Sequence, residues 1–401
     1  MQESQQQFNP LNQTSESPGD WAWKFWPLVP IYPYGHRRTL RREVVPGQVW
    51  TFDQVQGIFY VVVPIRMTIV KAAGGLLVYA PIAPTPECIR LVQELEAEHG
   101  PVKYIVLPTV SGLEHKVFVG PFARCFPQAQ VLVAPNQWSF PLNLPLSWLG
   151  FPGGRTQVLP ADSQSAPLGE EFDYAILDVN LGARSFGEVA LFHRPSQTLL
   201  VTDTVVAIPA EPPPIVQLDP YPLLFHAKDD PYHVVFDTAA NRIKGWQRIA
   251  LFAFYFQPAA LETVPLPQAI REARQVPDRS RKAYWGIYPF RWRANWQDSF
   301  QQLRRDGKLL VAPILQTLIL NRAPQEVLAW AEQVAQWPFQ RIIPGHLEAP
   351  LSVTPAEFYQ AFSFLTRAPI DPLPEADIKL LQDIDRGLIR SGITPPAKDR
   401  I

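Results

Sequence analysis

The sequence predicts an α/β fold, and three observations carry that expectation. Short runs rich in β-branched and aromatic residues ("IFYVVVPI", "MTIVK", "LLVYAPI", "KYIVLP", "QVLVAP") begin at Ile58. Between the last three runs lie stretches with helical spacing, and this β-α-β-α-β alternation is the pattern of α/β architecture. Three more strand candidates, "DYAIL", "EVALFH" and "TLLVT", follow a Pro- and Trp-rich loop from Asn136 to Pro160. Apolar residues make up 47% of the 401, enough for a sizeable core.

In chain order, residues 1 to about 20 are polar and Gln-rich and read as a disordered tail. An aromatic arm, Trp21 to Pro33, then leads into the basic run His36 to Arg42. One reading staples this arm onto the domain. The other is a partner or peripheral membrane contact through Trp21, Trp23 and Trp26 with Arg37 to Arg42, because Trp and Arg favour both kinds of boundary. Gly74-Gly75 reads as a hairpin turn. Thr85 is an N-cap with Pro86 at the first helical position, Cys88, Leu91, Val92 and Leu95 form a buried face, and Gly100 ends the helix. "FVGPFARCF" reads as the next helix. Residues 210–308 read as a large aromatic and Pro-rich insertion with a helix around Trp246 to Tyr255. Pro324 to Trp337 reads as a helix, "RIIPGH" as a strand running into a loop, and Thr354 to Glu357 as a capping box. The expected organisation is tail and arm at 1–42, a core domain in two parts at 43–209 and 309–366, the insertion at 210–308 between them, and a C-terminal helix and tail at 367–401.

Composition excludes several classes. Net charge is −1, from 36 basic and 37 acidic residues, so nothing draws the whole chain to nucleic acid. The 44 prolines are roughly twice the usual share of about 5% and point to rigid loops. Cys88 and Cys125 read as buried free thiols of a reducing compartment. The N-terminus lacks the pattern of a secretory signal, and the longest apolar stretch, Leu309 to Leu320, is far short of the ~20 residues that span a bilayer. The expected location is cytoplasmic, with membrane-peripheral contact as the variant. A phosphate-binding Gly-rich loop and a Gly-x-Ser-x-Gly elbow are both missing from the sequence.

Three strand ends carry ligand chemistry: Glu114-His115-Lys116 after "YIVLP", Asp203 after "TLLV", and His346 after "RIIP". Two imidazoles and two carboxylates suit Zn²⁺, Fe²⁺ or Mn²⁺. The order of these residues resembles the metallo-β-lactamase superfamily, which implies an αββα sandwich. Laid on this chain, its His-x-His-x-Asp-His motif falls on Val110, Gly112, Glu114 and His115. Its Gly-His-x-x-Gly histidine falls on Arg184, its bridging Asp on Asp203, and its last His on His346. The resemblance therefore implies that the first metal's ligands are lost, while Glu114, His115, Asp203 and His346 keep the second site. Either one metal survives there, or Arg184 pairs with Asp203 and Glu114 and no metal is held. With a metal, the implied chemistry is hydrolysis of an ester or phosphoester, with Asp203 as ligand and base and Lys116 or Arg184 steadying negative charge.

A longer resemblance runs from about Trp21 to Phe364. "SGLEHKVFVGPFAR", "QWSFPLNLPLSWLGFP", "LLVTDTVV", "KGWQRIALFAFYF" and "VAPILQTLILNRAP" are similar to a domain-of-unknown-function family of photosynthetic bacteria and plants. It brings no reaction with it. A non-catalytic protein that binds a small molecule or a protein partner, or assembles at a membrane surface, stands as the alternative to a one-metal hydrolase. His226 to His233 reads as a turn, His193 as structural, and "YWGIYPFRWRANW" either packs or stacks a flat ligand.

Overall fold

The computed structural model describes residues 15–401 except 29, 111–113, 139–142, 169–170 and 183. The first strands form earlier than the residue pattern indicates. β1 (Leu40–Val45) pairs antiparallel with β2 (Val49–Ile58), and β2 with the long β3 (Val61–Ala72). The end of the basic run, expected to belong to the N-terminal arm, is thus partly an edge strand, where charged side chains are tolerated because they oppose further pairing. Its arginines bond inward: Arg41 meets Glu94 at 3.0 Å and Arg42 meets the Ala349 carbonyl. "IFYVVVPI" is not one strand. It is broken by a two-residue turn at Phe59 and Tyr60, with φ of 56° and 62°. Asn or Gly is the usual occupant of such a turn, so two aromatics there give no local signal.

The first sheet continues with β4 (Gly75–Tyr79), β5 (Val102–Leu107), β6 (Gln130–Val133) and β7 (Thr156–Val158), in the order β1 to β7. The pairs β4/β5, β5/β6 and β6/β7 are parallel. A second sheet holds β8 (Phe172–Asn180), β9 (Ser185–His193) and β10 (Thr198–Leu200). A small two-stranded antiparallel sheet of β11 (Leu261–Thr263) and β12 (Phe290–Trp292) stands apart, and β13 (Arg341–Ile343) returns to pair parallel with β10.

The sheets face each other across a core that joins Val70, Leu77, Val106 and Leu132 to Tyr174, Val189, Leu191 and Ile343. On the outer face of the first sheet lie α1 (Pro86–His99) and α2 (Lys116–Cys125), packed by Leu91, Leu95, Phe118 and Phe122. The second sheet is covered by the later helices. α3 (Pro214–Gln217), α4 (Tyr221–His226), α5 (Ala239–Tyr255), α6 (Leu266–Glu272) and α7 (Trp296–Arg304) fall within residues 210–308. α8 (Pro313–Leu318), α9 (Pro324–Ala335), α10 (Pro355–Gln360) and α11 (Lys379–Arg390) follow. Trp246, Leu251, Phe300, Trp330 and Phe358 from this layer pack on Leu177, Phe192 and Leu199 of the sheet. The expected αββα sandwich is therefore the observed architecture. Cys88 is buried on α1 as expected, but Cys125 is exposed, because it ends α2 where the helix leaves the core.

α5 approaches α4 at Gly245. A Cβ there would lie 1.8 Å from the Leu223 carbonyl oxygen. In a free helix Gly→Ala stabilises by roughly 0.5–1 kcal/mol. Here backbone must move, so Gly245→Ala is expected to destabilise by about 1–3 kcal/mol, read as a lower urea midpoint. Two buried histidines give a pH signature. Burial lowers His193 and His226 from 6.5 to about 4. Their contribution is present above about 6.5 and is lost as pH falls towards 4, because the unfolded chain binds more protons there. Urea unfolding between pH 6.5 and 4 should show falling stability, and His193→Gln and His226→Gln should each flatten the slope.

Candidate metal centre and its neighbours

Three strand ends meet at one end of the sandwich. Residues 108–110, after β5, are tied to β9: Val110 N–H bonds the Gly187 carbonyl at 3.2 Å, and Val189 N–H bonds the Pro108 carbonyl at 2.9 Å. Asp203 follows β10, and His346 follows β13, its parallel neighbour. Glu114, Asp203 and His346 are thereby gathered, although they lie far apart in the chain. His346 Nε2 stands 3.1 Å from Asp203 Oδ1 and 3.4 Å from Glu114 Oε2. The His115 ring centroid is 6.3 Å from that of His346.

Both imidazoles are anchored in the same way. His115 Nδ1 bonds the Pro81 carbonyl at 3.0 Å, and His346 Nδ1 bonds the Pro64 carbonyl at 2.8 Å. A ring whose Nδ1 donates to a carbonyl keeps Nε2 free to accept a proton or a metal. His346 Nε2 faces the two carboxylates, and His115 Nε2 is buried with no hydrogen-bond partner within 3.5 Å among the described residues.

Electrostatics follow from this geometry. Burial by itself would lower the pKa of His346, but its bond to Asp203 and the charges of Glu114 and Asp203 outweigh that and raise it to about 9. Burial would raise Asp203, and the bond and charge of His346 overcome it, leaving Asp203 below the ordinary carboxylate range. Glu114 has 49% of its side chain exposed, yet the surrounding protein desolvates it and raises its pKa. His115 is held down at about 4, first by burial and then by His346, and so is neutral.

The two residues expected to steady negative charge do not face the carboxylates. Lys116 is fully buried, and its ammonium donates to the Val110 and Trp138 carbonyls, the latter at 2.6 Å. Burial lowers its pKa to about 8. The Arg184 guanidinium lies over the Trp138 ring, 5.5 Å from its centroid, and among the described residues forms no ion pair with Asp203 or Glu114. The expected Arg184–Asp203–Glu114 network is replaced by the His346 bridge, since stacking on Trp138 offers the guanidinium a flat partner nearer its own strand. Val110 is buried, and its Cγ2 would be 2.6 Å from a Cβ on Gly187. Gly112 lies outside the described residues.

Sequence reasoning missed three charged residues that organise the site. Glu188 is fully buried in β9 and accepts five hydrogen bonds: from the N–H and hydroxyl of Thr202, the N–H of Asp203, and the N–H and hydroxyl of Thr204. Burial, with Asp203 alongside, raises its pKa, and the five donors oppose that rise. The signal was a lone carboxylate inside the apolar run "FGEVALFH". Arg66 on β3 pairs with Asp53 at 2.7 Å and donates to the Pro344 and Leu347 carbonyls, each at 2.8 Å. Arg37 is fully buried with Nη1 on the Val55 carbonyl, while Nε and Nη2 have no partner among the described residues. Burial lowers its pKa to about 10, and Glu114 partly restores it.

Residues 46–364 match the family described as domain of unknown function DUF4336. The chain belongs to the DUF4336 family. No curated protein matches it. Among solved structures, this DUF4336 chain is similar to a metallo-β-lactamase from Pontibacter korlensis, with 16% identity, TM-score 0.29, and 40% of this chain against 70% of that one. It is also similar to a putative diflavin flavoprotein fragment from Nostoc, with 10% identity, TM-score 0.39, and 88% against 99%. A flavo di-iron protein variant from Thermotoga maritima gives 8% identity, TM-score 0.38, and 81% against 62%. The architecture of the DUF4336 chain rests on its own layers and strand order rather than on these likenesses.

Among the described residues, no group of three or more His, Cys, Asp or Glu side chains stands ready to hold a metal ion. The His346 bridge draws the carboxylates onto the imidazole instead. His115 lies beside this bridge, with its ring centroid 6.3 Å from that of His346.

Glu188→Gln isolates the turn. Oε1 takes the Thr202 N–H and Oε2 takes those of Asp203 and Thr204, so either amide orientation sets an NH₂ against a backbone N–H. The expected cost is about 1–3 kcal/mol of stability, measured by urea unfolding, with the Glu188→Asp variant partly retaining the bonds.

Proposed function

We propose that this chain is a metallo-β-lactamase-like protein with a one-metal centre, in which Glu114, His115, Asp203 and His346 hold a single zinc, iron or manganese ion. The observation that carries this reading is the matched anchoring of both imidazoles through Nδ1, which turns Nε2 of each ring away from its carbonyl anchor and sets that of His346 against Asp203 and Glu114. Such carbonyl partners fix the tautomer and orientation of metal-ligating histidines. A bound ion would supply Lewis acidity towards an ester or phosphoester oxygen, and hydrolysis is the reaction class we assign to it. Asp203 and Glu114 bring the negative charge that favours a cation. The Glu188 and Arg66 contacts hold the two loops at fixed separation, and Lys116 holds the loop segment at Val110 and Trp138 rather than acting on substrate. The resemblance supports placing this activity in a photosynthetic cell.

A second reading is favoured by one specific observation. Lys116 and Arg184, the expected partners for developing charge, are both engaged elsewhere. A protein that keeps the centre for binding a small molecule or a protein partner, without turnover, fits that arrangement.

The test is the metal content of protein purified without chelator, wild type against His346→Ala. About one equivalent of transition metal, lost in the variant, is the expected result, and ester and phosphoester turnover by the loaded wild type then separates hydrolase from binding protein. Wild type that stays metal-free after reloading under reducing conditions overturns the one-metal reading.

A further inference from the structure

The aromatic residues of the chain are not confined to its core. Three segments distant in sequence bring exposed aromatic and aliphatic side chains to one place. Trp26 and Tyr34 of the N-terminal arm are 40% and 43% exposed, with ring centroids 6.0 Å apart. At the β2–β3 turn, Ile58 is 70% and Phe59 41% exposed. Phe59 stacks on Tyr284 at 4.3 Å, and the next residue, Trp285, is 61% exposed. Tyr34 lies against Tyr32 at 6.2 Å, Tyr32 against Tyr60 at 5.3 Å, and Tyr60 against Tyr284 at 5.2 Å, which closes the chain of ring contacts from Trp26 to Phe59. Beneath them Tyr32, Tyr60, Tyr221 and Phe225 pack as a supporting layer. Five residues here, Tyr34, Phe59, Tyr60, Tyr284 and Trp285, hold φ between 50° and 62°. Bulky side chains seldom adopt that region, and backbone of this kind persists where the surroundings over-determine it.

The rim of this surface is basic. Arg279, Arg281 and Lys282 are exposed immediately before Tyr284, and Lys24 is exposed beside Phe25 and Trp26. The Tyr60 hydroxyl donates to the Lys282 carbonyl at 2.9 Å, so the basic segment is fixed to the aromatic layer. Two acidic side chains lie at the same place and are already engaged: Asp219 accepts from the Tyr32 hydroxyl and stands 4.0 Å from Lys282, and Asp278 accepts from the Ser280 N–H. The segments that carry this apolar face thus also carry exposed Lys24, Arg279, Arg281 and Lys282, the last with its ammonium 4.0 Å from the Tyr221 ring centroid, on a chain whose net charge is −1.

We propose that this face docks the protein peripherally on a bilayer surface that carries anionic lipids. Trp, Tyr and Phe settle at the level of the headgroups, and Arg and Lys at the rim meet the negative surface potential. Neither signal alone holds a protein firmly, and the two together do. No helix among the described residues is long and apolar enough to cross a membrane, so the contact is with the surface. The face differs from the aromatic and basic arm expected from the sequence. Trp23 is buried against Phe118, and Arg37 is fully buried, so of those residues Trp26 reaches this surface, joined by side chains from the turn and from residues 279–285.

The experiment is co-sedimentation of the full chain with vesicles of phosphatidylcholine alone and with about one-third phosphatidylglycerol, at low and high salt. Binding to the anionic vesicles, weakened by salt, is expected. Ile58→Ser with Trp285→Ser, and separately Arg279→Gln with Arg281→Gln and Lys282→Gln, should each reduce it about tenfold or more while leaving the urea midpoint unchanged. A blue shift of tryptophan emission on anionic vesicles, lost in Trp285→Ser, reports the contact without relying on the multiple variants. Failure of the wild type to bind anionic vesicles overturns the proposal. So does equal binding to both vesicle types, or concentration-dependent self-association that Ile58→Ser with Trp285→Ser abolishes in the absence of lipid.

Discussion

Five donors from a single turn converge on the buried carboxylate of Glu188, and the placement of Asp203 follows from that convergence. A carboxylate removed from water needs donors, and a turn leaving a strand has N–H groups without ladder partners. Each solves the other's deficit. The carboxylate fixes the backbone of residues 202–204, and the Asp203 side chain is then directed to the open end of the sandwich. Because Glu188 also bridges to Thr109, the same strand position links the turn to the segment that precedes Glu114.

Arg66 performs the complementary task on the other loop. Its guanidinium is held by Asp53 across the β2–β3 pair and grips the carbonyls of Pro344 and Leu347 on either side of His346. Gly345 N–H bonds the Thr202 carbonyl at 3.1 Å, and a Cβ on Gly345 would lie 3.2 Å from Thr202 Cα, so the two loops touch. One buried anion and one buried cation therefore set the distance between Asp203 and His346. The centre itself contributes little rigidity, being partly open to solvent, and its order is inherited from these two anchors.

The neighbouring residues Val110, Arg184 and Lys116 are taken up in packing and backbone contacts. Val110 fills space against Gly187, and Arg184 lies on Trp138. Lys116 closes the same wall by donating to the carbonyls of Val110 and Trp138. On the side of His115, Asp203 and His346 each imidazole has a backbone carbonyl partner, Pro81 for His115 and Pro64 for His346.

Much of this was written locally in the sequence. Period-two and period-3.6 patterns marked most strands and helices from β4 onward, with Thr85, Gly100 and the Thr354–Glu357 capping box at helix ends, because such signals depend on neighbours in the chain. The four ligand-type residues were legible from their positions after strands, and three of them meet directly. What the sequence left undecided depends on partners remote in the chain. β1 and the start of β2 were hidden by their charge, since pairing and ion-pair partners such as Glu94 lie elsewhere. The Phe59–Tyr60 turn breaks the local rule and is held in place by Tyr284 and Phe225. Glu188, Arg66 and Arg37 looked like isolated charges until folding set five donors, two loop carbonyls and Glu114 around them. Tertiary structure also decided that His346, rather than Arg184, bridges the carboxylates. The physical reason is that a buried charge is settled by the nearest group of opposite sign or the nearest carbonyl, and three-dimensional proximity to it is not encoded in residue type.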